Sequence, residues 1–407
     1  MSVKNYFLQI KIILIFIIFA TVQFGCTSST SETLESYIEI ELNRLQETYR
    51  LLDRFAKEIW PGWDNFKEIA IHVKFPNDIQ LLVTPHTEES MEYEQIQGRT
   101  IFGKSIFIKK KDKFPEEIRP PLFARRGRGG LLIQLDMDHP DLPPEEPERS
   151  EKLEAVLKAM GDKNTTFDLE PKGDSDAHIL MYIHEHFHGF QSQFGPLGSG
   201  EGLRDFEVNA EYAAYSHIEG LALLQAFEQK DNVKSLGYLK DFMVAREIKR
   251  TYMPPEAIPA EQFISVVEGT ACYANLKTAV LIRDRRYKPK INQEVDPYFY
   301  NFEYVDGYLE NIMKKGLHFA AEWTLDKIGG LRGKYYLYGA YQCFLLDRFI
   351  PGWKQNFFQE KKNLDDITSD FLNLSTAEKE EIAERLKTKY SYDFIYKKHK
   401  ATLNKSK

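Results

Sequence analysis

Apolar residues recur at Leu34, Ile38, Leu42, Leu45, Tyr49, Leu52, Ala56 and Ile59. Every step is three or four residues, so these side chains share one face of an α-helix. Trp60-Pro61-Gly62-Trp63 ends the pattern, because a proline there cannot extend the helix. The segments 68–75, 79–84, 99–109 and 130–135 carry Ile, Val and Phe between turn residues such as Pro76-Asn77-Asp78, and read as strands. From about Ser175 the pattern is helical nearly to the end, and Ser375-Thr376-Ala377-Glu378 is a capping box opening a polar helix. The expected fold class is α+β, a small N-terminal β-sheet part followed by a large, mostly helical part. The expected division is 1–25, 26–60, 61–170 and 171–407.

Composition narrows the picture. The chain has 407 residues, 54 Lys plus Arg against 61 Asp plus Glu, and a net charge of −7. That length allows two or three folding units. The 28 Phe and 22 Tyr give bulk for a core, and three Cys are too few for a disulfide scaffold. The mild acidity argues against a nucleic-acid partner, since no surplus positive charge is available to neutralise phosphates. Basic residues crowd 104–128, and acids with four prolines crowd 136–151. Such blocks read as solvated loops; contact with anionic headgroups or a substrate is the sharper alternative.

The first residues have their own logic. Lys4 and Lys11 precede or flank an apolar run from Ile12 to Ala20, too short for a bilayer span of about 20 residues. A basic start, a short apolar run and a small residue before Cys26 form an export signal. Gln23-Phe24-Gly25-Cys26 is similar to the cleavage box of bacterial lipoproteins, although the family favours an aliphatic residue three before the Cys and a small one two before. The resemblance implies signal removal after residue 25 and lipidation of Cys26. It also implies export, with a lipid anchor on a bacterial membrane at its periplasmic or cell-surface face. A plain secretory signal and an uncleaved anchor are the alternatives. In an oxidising compartment Cys272 and Cys343 could form a bond.

The chemistry concentrates in His184-Glu185-His186-Phe187-His188, which contains His-Glu-x-x-His. Asp174, Ser175 and Asp176 offer N-caps and Gly195 a stop, placing the motif inside a helix of about 18 residues. His184 and His188 then lie one turn apart on one face, where both imidazoles can bind one ion. Glu185 sits beside that face, placed to accept a proton from metal-bound water. The metal face also carries Ala177, Met181 and Gln191; Leu180, Ile183, Phe187 and Phe190 form an adjacent apolar stripe. His186 points to the far side and reads as an ordinary polar or core histidine. Catalytic zinc usually takes three protein ligands, so a downstream carboxylate is needed: Glu207, Glu211, Glu219 and Glu268 compete.

Two segments resemble gluzincin metallopeptidases of the aminopeptidase type. Glu268-Gly269-Thr270-Ala271-Cys272-Tyr273 fits the Glu-Gly-x-Ala-x-Tyr helix that supplies the third ligand in that family. Tyr336-Leu337-Tyr338-Gly339-Ala340 then matches its Tyr placed three residues before a Gly-Ala pair. The interval from His188 to Glu268 is longer than in the family, and an inserted helical hairpin at about 203–250 would account for it. Glu207 fits only the thermolysin-like spacing, and the Glu219 segment lacks the Tyr. The resemblance spans about 175–353. It implies a zincin-like fold, a Zn2+ cofactor held by His184, His188 and Glu268, Glu185 as general base, Tyr336 as oxyanion donor, and a peptide or protein substrate. Two readings compete with this enzyme: a lipoprotein that keeps zinc for structure or partner binding, and a metal-free protein whose His184 and His188 are core residues.

Other groups read as structural. Arg246 and Arg250 sit four apart on a helix, suited to surface or ion-pair roles, with a substrate carboxylate the alternative. Asp347 and Arg348, before Pro351-Gly352-Trp353, read as packing and helix-ending residues. Arg126-Gly127-Arg128-Gly129-Gly130 lacks the Lys-Ser/Thr ending of a phosphate loop.

Overall fold

The computed structural model describes residues 34–75, 79–85, 93–110, 122–126, 131–136, 175–195, 197–203, 206–322 and 330–406. Cys26, the export signal and the acidic block beyond residue 136 lie outside them. The architecture is α+β. The chain divides into two compact units: Ile17–Gly195 with Lys277–Val305, which carries the sheet, and Pro196–Leu276 with Asp306–Lys407, which is helical.

In the sheet-bearing unit, α1 (Leu34–Ile59) follows the three-four pattern, and Leu45, Tyr49, Leu52, Ala56 and Ile59 are all buried. It stops where Gly62 takes φ +86°, a left-handed conformation that glycine adopts without steric cost, and a 3-10 turn (Trp63–Glu68) follows. The strands are β1 (Ala70–Phe75), β2 (Ile79–Thr84), β3 (Glu94–Ile101), β4 (Lys104–Lys110), β5 (Leu122–Arg126) and β6 (Leu131–Asp136). They form one sheet of order β3-β4-β2-β1-β6-β5, antiparallel except for the parallel β1–β6 pair. Pairing of Ile71 with Val83 and of Val83 with Ile106 puts these side chains on one face. Ala70, Leu82 and Phe107 cluster on the other, with Tyr93 packed against them.

Two strand expectations change. The segment 99–109 is a hairpin, not one strand: the chain reverses at Phe102-Gly103, both at positive φ. The Phe-Gly pair is not a common turn signal, so its alternating neighbours read as continuous. Part of the basic block, expected as loop, is strand β5: hydrogen bonding to β6 outweighs its charge.

Helix α2 (Ser175–Gln191) carries the His-Glu-x-x-His motif. Its first turn is tied down by polar contacts. The Arg44 guanidinium donates to Ser175 Oγ (2.9 and 3.1 Å), Ser175 Oγ donates to Asp296 (2.9 Å), and Asp176 accepts from the backbone N–H groups of Tyr300 (3.1 Å) and Phe302 (2.7 Å). Near this anchor, burial pushes the Glu41 carboxyl up to about 7, against the pull of Arg44. The apolar stripe packs as its phase predicts: Phe187 meets Trp60 (5.2 Å between centroids) and Trp63 (4.8 Å). Each such fully buried side chain is worth about 1.5–3 kcal/mol.

In the helical unit, α3 (Ala210–Glu228) and α4 (Asn232–Arg250) are the two arms of a hairpin, N-capped by the side chains of Asn209 and Asp231. Then come α5 (Ala257–Asp284), whose residues through Leu276 belong to this unit, α6 (Val305–Glu310), a π-helical turn (Asn311–Gly316) and α7 (Leu317–Glu322). The last helices are α8 (Gly330–Phe349), α9 (Leu364–Leu372), α10 (Thr376–Lys389) and α11 (Tyr392–Ser406). The Ser375/Glu378 capping box at the start of α10 forms in both directions. Helices α5 and α8 cross backbone to backbone at Gly269 and Gly339. Cys272 and Cys343 are free, buried thiols, so the bond considered between them is not made. No described helix is long and apolar enough to cross a membrane.

Candidate metal centre

His184 and His188 project from α2 one turn apart, His188 in its last turn. Their rings are nearly perpendicular (87°), and the two Nε2 atoms are 3.1 Å apart. Two nitrogens each about 2.0–2.1 Å from one cation subtend about 100° at that separation, close to tetrahedral. The same distance suits a hydrogen bond between the rings when no cation is bound. The tautomer of His188 is set from behind: its Nδ1–H donates to Gln191 Oε1 (2.7 Å). That leaves the Nε2 lone pair directed at His184, the form a metal ligand needs.

A candidate third donor, Glu268, is on α5. Ligand atoms of His184, His188 and Glu268 lie within 4.8 Å of one another, the one such group of three among the described residues. His184 is buried, and His188 is partly exposed. Two imidazoles and one carboxylate suit a divalent transition ion and leave a fourth tetrahedral position open.

The competing acids are placed otherwise. Glu219 is fully buried and accepts from Arg246 Nε (2.6 Å) and Lys249 Nζ (2.9 Å). Glu211 accepts from the Tyr396 hydroxyl (3.3 Å). Glu207 is exposed in the segment before α3. Glu185, beside His184, is 6% exposed, and Tyr336 is half-buried on α8.

His186 lies on the opposite side of α2, wholly buried among Tyr49, Trp63 and Phe66 at 5.9–6.3 Å. Burial and the neighbouring Lys104 ammonium hold its pKa well below the usual histidine range. It is a neutral core residue. The Tyr273 hydroxyl donates to Asp347 (2.5 Å) and accepts from Lys354 Nζ (2.6 Å), so the motif tyrosine ties α5 to the end of α8. Arg348 binds the carbonyls of Gln229 and Lys230 at the α3–α4 turn. Arg246 and Arg250 take the ion-pair role expected of them, although buried: both pair with Asp365, and Arg250 also holds Glu261 (2.8 Å).

Sequence reasoning passed over Gln191 as a hydrogen-bond partner, although its i+3 offset from His188 was available. It also passed over Glu261, seven residues before Glu268 and therefore on the same helical face. No protein-family model matches the chain, and neither does any curated protein or solved structure.

Proposed function

We propose that the protein is a zinc-dependent metallopeptidase, zincin-like in fold, exported and anchored to a bacterial membrane through a lipid on Cys26. The observation that carries the catalytic part is the convergence of His184, His188 and Glu268 ligand atoms within 4.8 Å. Those three residues would hold the ion, and a bound zinc supplies a water whose pKa falls to about 7. Glu185 would take a proton from the attacking water and pass it to the departing amine. Tyr336 donates its hydroxyl proton in a hydrogen bond to the developing oxyanion, a contribution of about 3 kcal/mol at sites of this kind. The peptide C–N bond breaks, and the carboxylate and amine products leave.

The deciding experiment is Glu185→Gln. Zinc content should stay near that of the parent while hydrolysis of a broad peptide library disappears; retained turnover would remove Glu185 from the mechanism. A parent protein that holds stoichiometric zinc yet cleaves nothing would point to a structural zinc site. Separately, Cys26→Ser should release the protein from the membrane fraction, and unchanged fractionation would count against the anchor.

A further inference from the structure

The crossing of α5 and α8 brings two glycine backbones together. At the glycine pair itself no side chains interlock, so rotation about the helix axes is held by the side chains to either side: Tyr273 against Phe344 and Asp347 beyond it, and Glu261 with Tyr335 before it. Rotation matters here. A side-chain tip about 5–6 Å from a helix axis moves about 1 Å for a 10° turn, and a 1 Å misplacement at a reacting centre can cost about 100-fold in rate.

An anchor lies beside the crossing. Glu261, on the Glu268 face of α5 about 10 Å further back along the axis, is fully buried. It accepts from Tyr335 Oη (2.5 Å), Lys249 Nζ (2.7 Å) and Arg250 (2.8 and 3.0 Å). Tyr335 is on α8, immediately before Tyr336. The network continues through Glu219, Arg246 and Asp365, so three buried acids meet three cations. Well-packed apolar residues often match or exceed the stability of buried ion pairs, and their best-attested use is to fix register.

We propose that Glu261 and Tyr335 are positioning residues for the metal centre: their hydroxyl–carboxylate contact, held by Lys249 and Arg250, sets the rotation of the helices that carry Glu268 and Tyr336. The inference rests on the metallopeptidase reading.

The test is Tyr335→Phe, which keeps the ring and removes only the hydroxyl. Zinc affinity is measured by chelator competition, the d–d spectrum is recorded on Co(II)-loaded protein, and kcat is separated from KM. The expected result is roughly tenfold or more weaker zinc binding, as for lost outer-shell partners, with an altered cobalt spectrum and a fall in kcat at nearly constant KM. Parental affinity, spectrum and kcat, whatever the melting temperature, would overturn the inference alone. A parent protein that binds neither ion would overturn the metal reading and the inference with it. Should Tyr335→Phe fail to fold, Glu261→Gln, which keeps the shape and removes the charge, gives the same comparison.

Discussion

A Cβ added to Gly269 would lie 2.6 Å from the Cα of Gly339, and one added to Gly339 would lie 2.7 Å from the Cα of Gly269. The two glycines that give the Glu-Gly-x-Ala-x-Tyr and Tyr-x-x-Gly-Ala segments their pattern therefore meet backbone to backbone where α5 and α8 cross. Gly269→Ala and Gly339→Ala should each cost about 1–3 kcal/mol or more, because both opposing atoms are backbone and cannot turn aside. Gly237 is the contrast. It sits inside α4 with open space around a new Cβ, so Gly237→Ala should stabilise by about 0.5–1 kcal/mol. Denaturant unfolding of the three variants tests both signs.

The Gln191 amide fixes the His188 ring from behind. Gln191→Leu keeps much of the buried volume but removes the acceptor. Zinc affinity should fall about 10–100-fold, as for lost outer-shell partners at other sites. Chelator competition reads the change; an unchanged constant would show that packing alone orients the ring.

Lys334 is buried against the Tyr212 and Ser216 hydroxyls. Burial, reinforced by nearby Lys249, lowers its pKa from 10.5 to about 7. A lowered folded-state pKa means that the unfolded chain binds more protons between about pH 7 and 10.5. Parental stability relative to Lys334→Met should therefore rise with pH across that window, by up to about 1.4 kcal/mol per unit, and level off below it. Unfolding curves at pH 7, 8 and 9 measure the difference, and a flat difference would refute it.

Both thiols are protected. Burial, with the Glu268 charge, raises the Cys272 pKa, and burial raises that of Cys343. Neither should alkylate in the native protein, and both should react after unfolding. Reductant should leave the melting temperature unchanged. Intact-mass spectra before and after denaturation check this.

Much of the candidate site was legible because it is local. The four-residue offset of His184 and His188 becomes a shared face on any α-helix, and the stripe from Leu180 to Phe190 declared which side would be buried. The same phase argument put His186 on the far side as a polar or core residue, and burial made it a core one. Less was legible where partners are far apart in sequence. An ion-pair role for Arg246 could be read from its helix, but not its burial or its partners: Glu219, Gln342 and Asp365 come to it from α3, α8 and α9. Strand β5 was hidden in a basic block because its stability comes from pairing with β6.

The sequence by itself determined the helical periods, the capping box, the stop after Ile59 and the matched pair of imidazoles, since each depends on backbone geometry within a few residues. Tertiary structure decided which charges are buried together and which thiols stay apart. Side chains remote along the chain meet only when helices pack, and the depth of that packing, set at Gly269 and Gly339 by the absence of a Cβ, is a property of two elements that neither specifies alone.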